Sequence, residues 1–225
     1  MRRGILLQVR LNSQRLPRKA LLPLAGSTVV QHVMRALSQV CADVYALLTD
    51  AASGPELAPL AQEEGFEVFV GPQRDVLRRY RLAVQHYQLQ TIVRACGDEP
   101  LVSGKLADEI LGIHATRQAD LSHFLGIPMG TGVEVIEAAA LLRADAQATS
   151  SLEREHITTF MYRHPERFTI VEDYHERFSA DEARVSLDTP ADYELLKHLF
   201  GDLYDGDPIE IDEVVAWLKS QMRSA

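Results

Sequence analysis

Between Ile5 and Ile113 the chain repeats one pattern: a short apolar run without polar alternation, then a segment whose apolar residues recur at helical spacing. The runs are Ile5–Arg10, Val44–Thr49, Phe66–Val70 and Thr91–Ala95. Helical spacing falls on Val29, Val30, Val33, Met34 and Leu37, on Glu56–Glu64 up to Gly65, on Asp75–Tyr87, and on Leu106–Ile113. A run that does not alternate reads as a strand covered on both faces. Strands alternating with helices at this spacing predict parallel βαβ units. Their crossovers are right-handed, and such sheets bind ligands beyond the carboxyl ends of the strands. The loops after Ile5–Arg10 and after Thr91–Ala95 both lie at that edge, which selects them as site candidates.

The pattern loosens after Asp120. Asp120–Leu125, Val133–Ile136, Phe168–Val171 and Ala183–Leu187 read as strands, and Ala138–Ala144, Arg154–Tyr162 and Pro190–Leu199 as helices. Asp212 reads as the cap of a last amphipathic helix carrying Val214, Val215 and Leu218. With no repeat, low-complexity tract or linker, the expectation is a single α/β domain: a mostly parallel sheet flanked by helices, with an irregular second half.

Charge narrows the partners. A formal net charge of −9 argues against general nucleic-acid binding. Yet Arg2, Arg3, Arg10, Arg15, Arg18, Lys19 and Arg35 all precede the first acid, Asp43. A basic leading segment on an acidic chain suits a small anion, or is simply a solvated face. The apolar stretch ending at Arg10 is too short for a signal peptide, and no apolar run approaches the roughly 20 residues of a membrane span. Two cysteines, Cys41 and Cys96, make no disulfide framework, which fits a cytoplasmic setting. The 8 histidines show no zinc spacing.

Three segments carry chemistry. Val9–Lys19 leaves a strand end with Arg10, Ser13, Arg15 and Lys19, cations and donors able to converge on a polyphosphate, although no P-loop pattern is present. The bland alternative is a solvated basic loop. Gly97-Asp98-Glu99-Pro100 follows a strand and presents Asp98 where a hard divalent cation would bind its oxygen, or is only an acidic turn. Ser186–Asp192 places Asp188 at a strand end and Thr189 as a helix cap before Pro190. Asp188 reads as a second metal carboxylate or as part of the cap.

Taken together, R-x-x-S-x-R-L-P-x-K from Arg10 to Lys19, G-D-E-P at 97–100 and D-T-P-x-D at 188–192 resemble the cytidylyltransferase family. That family includes the CMP-Kdo and CMP-sialic acid synthetases, and the branch that looks most similar is that of SpsF-like spore coat polysaccharide proteins. Lys19–Gly26, Asp75–Tyr80, Gly132–Val135 and Ser151–Thr158 add to the resemblance, which spans nearly the whole chain. It implies a nucleotidyltransferase (GT-A-like, Rossmann-like) nucleotide-binding fold and Mg²⁺-dependent transfer of cytidylyl from CTP to a sugar or sugar acid, with pyrophosphate released, for surface polysaccharide. It implies nucleotide contacts from Arg10, Leu11, Ser13, Arg15, Lys19, Arg79 and Asp98, with Arg15, Lys19 and Asp98 catalytic. Asp98 and Asp188 would hold the metal, and Glu134, Arg154, Glu155 and His156 would lie near the acceptor. Residues 1–119 would form the nucleotide-binding half, 120–182 the acceptor and dimerisation region, and 183–225 the C-terminal metal-site strand and helices of a homodimeric, cytoplasmic enzyme.

Two positions depart from the family pattern: Arg78 stands where Asp is common, and Cys96 where Gln or Thr is usual. The alternatives are a glycosyltransferase of similar fold, whose D-x-D motif is missing, and a nucleotide-binding protein that has lost its chemistry. Guanylyl or uridylyl transfer lacks its expected glycine-rich opening loop.

Overall fold

A computed structural model of the protein describes residues 2–180 and 182–224. The first half builds β1 (Arg3–Gln8), a hairpin of β2 (Pro23–Leu24) and β3 (Ser27–Thr28), α1 (Val29–Ser38), β4 (Val44–Thr49), α2 (Gly54–Glu63), β5 (Glu67–Val70), α3 (Val76–Tyr87), β6 (Thr91–Cys96) and α4 (Gly104–Arg117). The second adds β7 (Leu121–Leu125), β8 (Glu134–Glu137), α5 (Ala138–Gln147), α6 (Ser151–Glu155), α7 (Thr159–Arg163), β9 (Ile170–Tyr174), α8 (Pro190–Leu203) and α9 (Ile211–Ser224).

Seven strands form one sheet in the order β5-β4-β1-β6-β8-β7-β9. Every pairing is parallel except those of β8, which runs antiparallel to β6 and β7. From β1 the chain moves outward through β4 to β5, then returns to place β6 on the other side of β1. That reversal opens a crevice between the carboxyl ends of β1 and β6, where ligands bind in sheets of this kind. The register pairs Gln8 with Cys96, so both strands end at the same level.

The unalternated runs have the expected cause. Ile5, Leu6 and Leu7 are all fully buried. Ile5, Leu7, Val93 and Ala95 pack with residues of α1 and α4 on one face; Leu6 and Ile92 pack with α3 and α5 on the other. Val185 and Leu187 belong to a third cluster, built on α8 and α9 and joined to the β2–β3 hairpin through Leu24.

Caps fix the helix starts: Asp75 accepts the Arg78 amide at 3.0 Å, and Thr189 forms a capping box with Asp192. Gly65, at φ 75°, ends the α2 region in the left-handed turn its position predicts.

Four local expectations change. β1 stops at Gln8, and Val9 leaves it while still donating to the Leu48 carbonyl at 3.0 Å. The helix expected over Arg154–Tyr162 is two short ones, because Ser150 and Glu153 cap a new start and His156 is extended. Ala183–Leu187 joins no sheet and makes one parallel bridge, Met129 to Arg184. Asp212 lies inside the first turn of α9, tied to Lys105 at 2.7 Å and Arg177 at 2.6 Å. Among the described residues no helix is long and apolar enough to cross a membrane.

Candidate active site

Beyond β1 and β6 lies a cavity of about 640 Å³, a size that suits a small-molecule ligand. One wall is the loop after β1, with Arg10, Asn12, Ser13, Arg15 and Lys19. The other comes from Cys96, Gly97 and Asp98, from Glu155 of α6, and from Asp188. Gly97 is needed for this closure: a Cβ there would sit 2.5 Å from Val9 Cγ2. The loop end and the strand end therefore meet only over a glycine. Within the loop, the amides of Asn12, Ser13 and Gln14 donate to no protein acceptor among the described residues, which leaves them available to an anion.

The carboxylates converge. Lys19 Nζ is ion-paired with Asp98, lies 2.7 Å from Asp188 Oδ1, and donates to the Leu187 carbonyl at 2.8 Å. Asp98 is brought there by the turn after β6, and Asp188 by a segment anchored through Leu187 N–H to the Asp98 carbonyl at 2.9 Å. Val185 and Leu187 are buried against α8 and α9, which turns Asp188 outward. Arg15 reaches Asp188 Oδ1 at 2.9 Å, and Arg184 binds its Oδ2. Two carboxylates whose hard oxygen donors meet on one ammonium group suit a divalent ion such as Mg²⁺ in its place.

Burial shifts the titration of two neighbours. Burial pushes the Cys96 thiol up, which favours its protonated form. Glu99 is pushed up to about 7, by burial first and then by the adjacent Asp98 charge. Cys96, Asp98 and Glu99 each place a ligand atom within 4.8 Å of the others. Departure from the family pattern at position 96 thus puts a small neutral group on the cavity wall.

The structure brings together Arg10, Ser13, Arg15, Lys19, Asp98, Glu155 and Asp188, and Arg10 donates to Glu155 at 3.1 Å. It does not bring the rest. Arg79 is fully buried, donates to the Pro72 and Gln73 carbonyls at 3.0 Å each, and braces the turn before α3. Leu11 is buried, and its amide binds Ser53 Oγ at 3.1 Å. Arg154 is held by Asp75 and Asp145 and lines no part of the cavity, and His156 is exposed outside it. Glu134 has three protein partners, Arg94 at 3.1 Å and Thr158 and Tyr162 at 3.0 Å each, so it organises its surroundings instead of standing free for a ligand. Arg78 places only its backbone amide, on Asp75. Sequence reasoning missed Gln8, which lines the cavity, and Arg184, which does not line it but binds Asp188 at its edge. Gln8, a polar residue inside an apolar strand run, carried a readable signal; Arg184 carried none.

A cytidylyltransferase family model matches residues 5–223. The chain belongs to the cytidylyltransferase family. This cytidylyltransferase is therefore a nucleotidyltransferase. It is 29% identical over 221 residues to the spore coat polysaccharide biosynthesis protein SpsF of Bacillus subtilis, covering 95% of this chain and 92% of that one. It superposes on a cytidylyltransferase from Leptospira borgpetersenii with a TM-score of 0.92 at 26% identity, covering 99% and 96% of the two chains. A CMP-2-keto-3-deoxy-manno-octonic acid synthetase solved with CTP shares the fold, with a TM-score of 0.73 at 15% identity over 90% of this chain and 99% of that one.

Proposed function

We propose that this cytidylyltransferase uses Mg²⁺ and CTP to convert a sugar or sugar acid to its CMP derivative, releasing pyrophosphate, for surface polysaccharide. The observation that carries this reading is the meeting of Asp98 and Asp188 on Lys19 at the wall of a cavity whose other wall is a cationic loop. Its relatives support the nucleotide and the acceptor class: one structural neighbour was solved with CTP, and the Bacillus relative is named for a coat polysaccharide.

Asp98 and Asp188 would hold Mg²⁺, which supplies charge neutralisation on the phosphate oxygens. Arg15, Lys19 and the free loop amides would grip the β- and γ-phosphates and stabilise the pyrophosphate as it leaves. Arg10 would bind phosphate once released from Glu155, and Glu155 would then face the acceptor. An acceptor hydroxyl attacks the α-phosphorus in line and loses its proton to solvent, the bond to the bridging oxygen of pyrophosphate breaks, and positioning with electrostatics does the work. No enzyme nucleophile is required, consistent with a protonated Cys96. The chain would act as one functional unit, with residues 1–119 for nucleotide and 120–182 for acceptor and for pairing into a cytoplasmic homodimer. Exposed Leu125, Met129 and Tyr174 in that second region support the pairing.

The test is pyrophosphate release with CTP, UTP, GTP or ATP, Mg²⁺ and a panel of sugars and sugar acids. Release is expected with CTP, dependent on one acceptor, and Asp98→Asn lowers it by about 10²-fold or more. Absence of both release and nucleotide binding would sink the reading.

A further inference from the structure

Asp188 carries more positive charge than a structural carboxylate needs. Its Oδ1 meets Lys19 at 2.7 Å and Arg15 at 2.9 Å, while its Oδ2 meets Arg184. Asp98 is the other acid in direct contact with these cations, through Lys19. Asp192 lies behind the group with one oxygen taken by the Asp188 and Thr189 amides at 2.9 and 2.7 Å and by the Thr189 hydroxyl, and it touches none of these cations among the described residues. Once a divalent cation occupies Asp98 and Asp188, the cations now held on them are released at one end of a ligand-sized cavity, which sets that end for an anion.

We propose that Arg184 is a third cationic ligand of the polyphosphate, held on Asp188 until a divalent cation takes that carboxylate. The proposal rests on the nucleotidyl-transfer reading above. Arg184 and Asp188 emerge on the same side of an extended segment whose alternate residues, Val185 and Leu187, are buried at 1% and 0% exposure. The backbone beneath is fixed by the Met129–Arg184 bridge and by Gly130, at φ 101°, where a Cβ would come within 2.7 Å of the Ser186 nitrogen. The guanidinium is therefore aimed from a firm base, yet its own side chain is 40% exposed. Arg184 is the exposed member of the pair, and Arg15 and Lys19 stay on the 17% exposed Asp188 side chain when the guanidinium leaves. Its planar fork then matches two phosphate oxygens, which an ammonium cannot do. Asp188 in this arrangement keeps the cations ordered before nucleotide arrives and gives them up together.

Calorimetric titration separates the possibilities, using Mg²⁺ alone, Mg·CTP, Mg·pyrophosphate and CMP against wild type, Arg184→Gln and Arg184→Lys. Expected for Arg184→Gln is a loss of about tenfold for Mg·CTP and Mg·pyrophosphate, with CMP affinity within about twofold. Mg²⁺ alone binds that variant more tightly, since one competitor for Asp188 is gone. Arg184→Lys falls between the two, and circular dichroism establishes that each variant is folded. Unchanged Mg·CTP affinity in a folded Arg184→Gln protein, or an equal loss for CMP and CTP, overturns the proposal and leaves the functional reading standing. Wild-type protein without affinity for Mg·CTP overturns both.

Discussion

Replacing Lys19 by Met removes the one cation, among the described residues, that touches both Asp98 and Asp188. The ammonium is 11% exposed and makes three contacts, to Asp98, to Asp188 at 2.7 Å and to the Leu187 carbonyl at 2.8 Å. Hydrogen bonds involving a charged group are worth about 1.5–3 kcal/mol each. Part of that is offset because the variant no longer has to desolvate an ammonium. Asp188 keeps Arg15 and Arg184, whereas Asp98 loses its ion-pair partner and is left facing a second carboxylate. The net loss is about 2–4 kcal/mol, or roughly 5–15 °C in Tm for a chain of this size. Urea unfolding in the presence of EDTA measures it. The decisive variant is Lys19→Met combined with Asp98→Asn, which removes the ammonium and one of the opposed charges together. If Lys19 acts by bridging the two carboxylates, the pair is less destabilising than the sum of the singles by about 1–2 kcal/mol. Additivity within about 0.5 kcal/mol would mean that Lys19 stabilises by packing alone, and the charge argument would fail.

Two further outcomes follow from contacts on the page. Gly97→Ala places a methyl 2.5 Å from Val9 Cγ2 and 3.2 Å from its Cγ1, so urea unfolding shows a loss of about 1–3 kcal/mol, part of which Val9→Ala in the same chain restores. Burial first, against the pull of the Leu24 carbonyl 2.7 Å away, holds His32 below its ordinary value of 6.5. The unfolded chain therefore takes up that proton first, so stability is full above about pH 6.5, falls as pH drops toward the folded-state value and then levels. His32→Gln makes the decline shallower in urea titrations run between pH 8 and 5.

The strands were legible because a sheet covered on both faces leaves no room for alternation. Ile5–Leu7, Val44–Thr49 and Thr91–Cys96 announce themselves by composition, and their alternation with helices dictates where the crevice must open. Gly97 and the basic loop were legible for the same reason, since each sits where a strand runs out. Legibility fails where a segment depends on a partner far along the chain. Val185 and Leu187 have strand-like composition, yet they are buried by α8 and α9 instead of by neighbouring strands. A run of apolar residues does not say which kind of surface will cover it. The break at His156 was readable in principle from Ser150 and Glu153, whose capping box starts a separate short helix ahead of it.

Arg79 and Arg184 mark the limit for charged residues. Both are arginines near a site motif, and the family resemblance favours the first. Arg79 follows a buried α3 face that carries Val76, Leu77, Tyr80 and Ala83, so its side chain turns under the helix and is consumed by backbone carbonyls. Arg184 stands one residue before a buried pair position and is thrown outward, four residues from the carboxylate it meets. What separates them is which face of the local element is covered, and that is decided by packing from other segments. The cations that gather on Asp188 come from the loop after β1, through Arg15 and Lys19, and from an extended stretch some 165 residues further on. Only the folded sheet, by bringing the ends of β1 and β6 level and docking α8 and α9 behind Leu187, makes a single site of them.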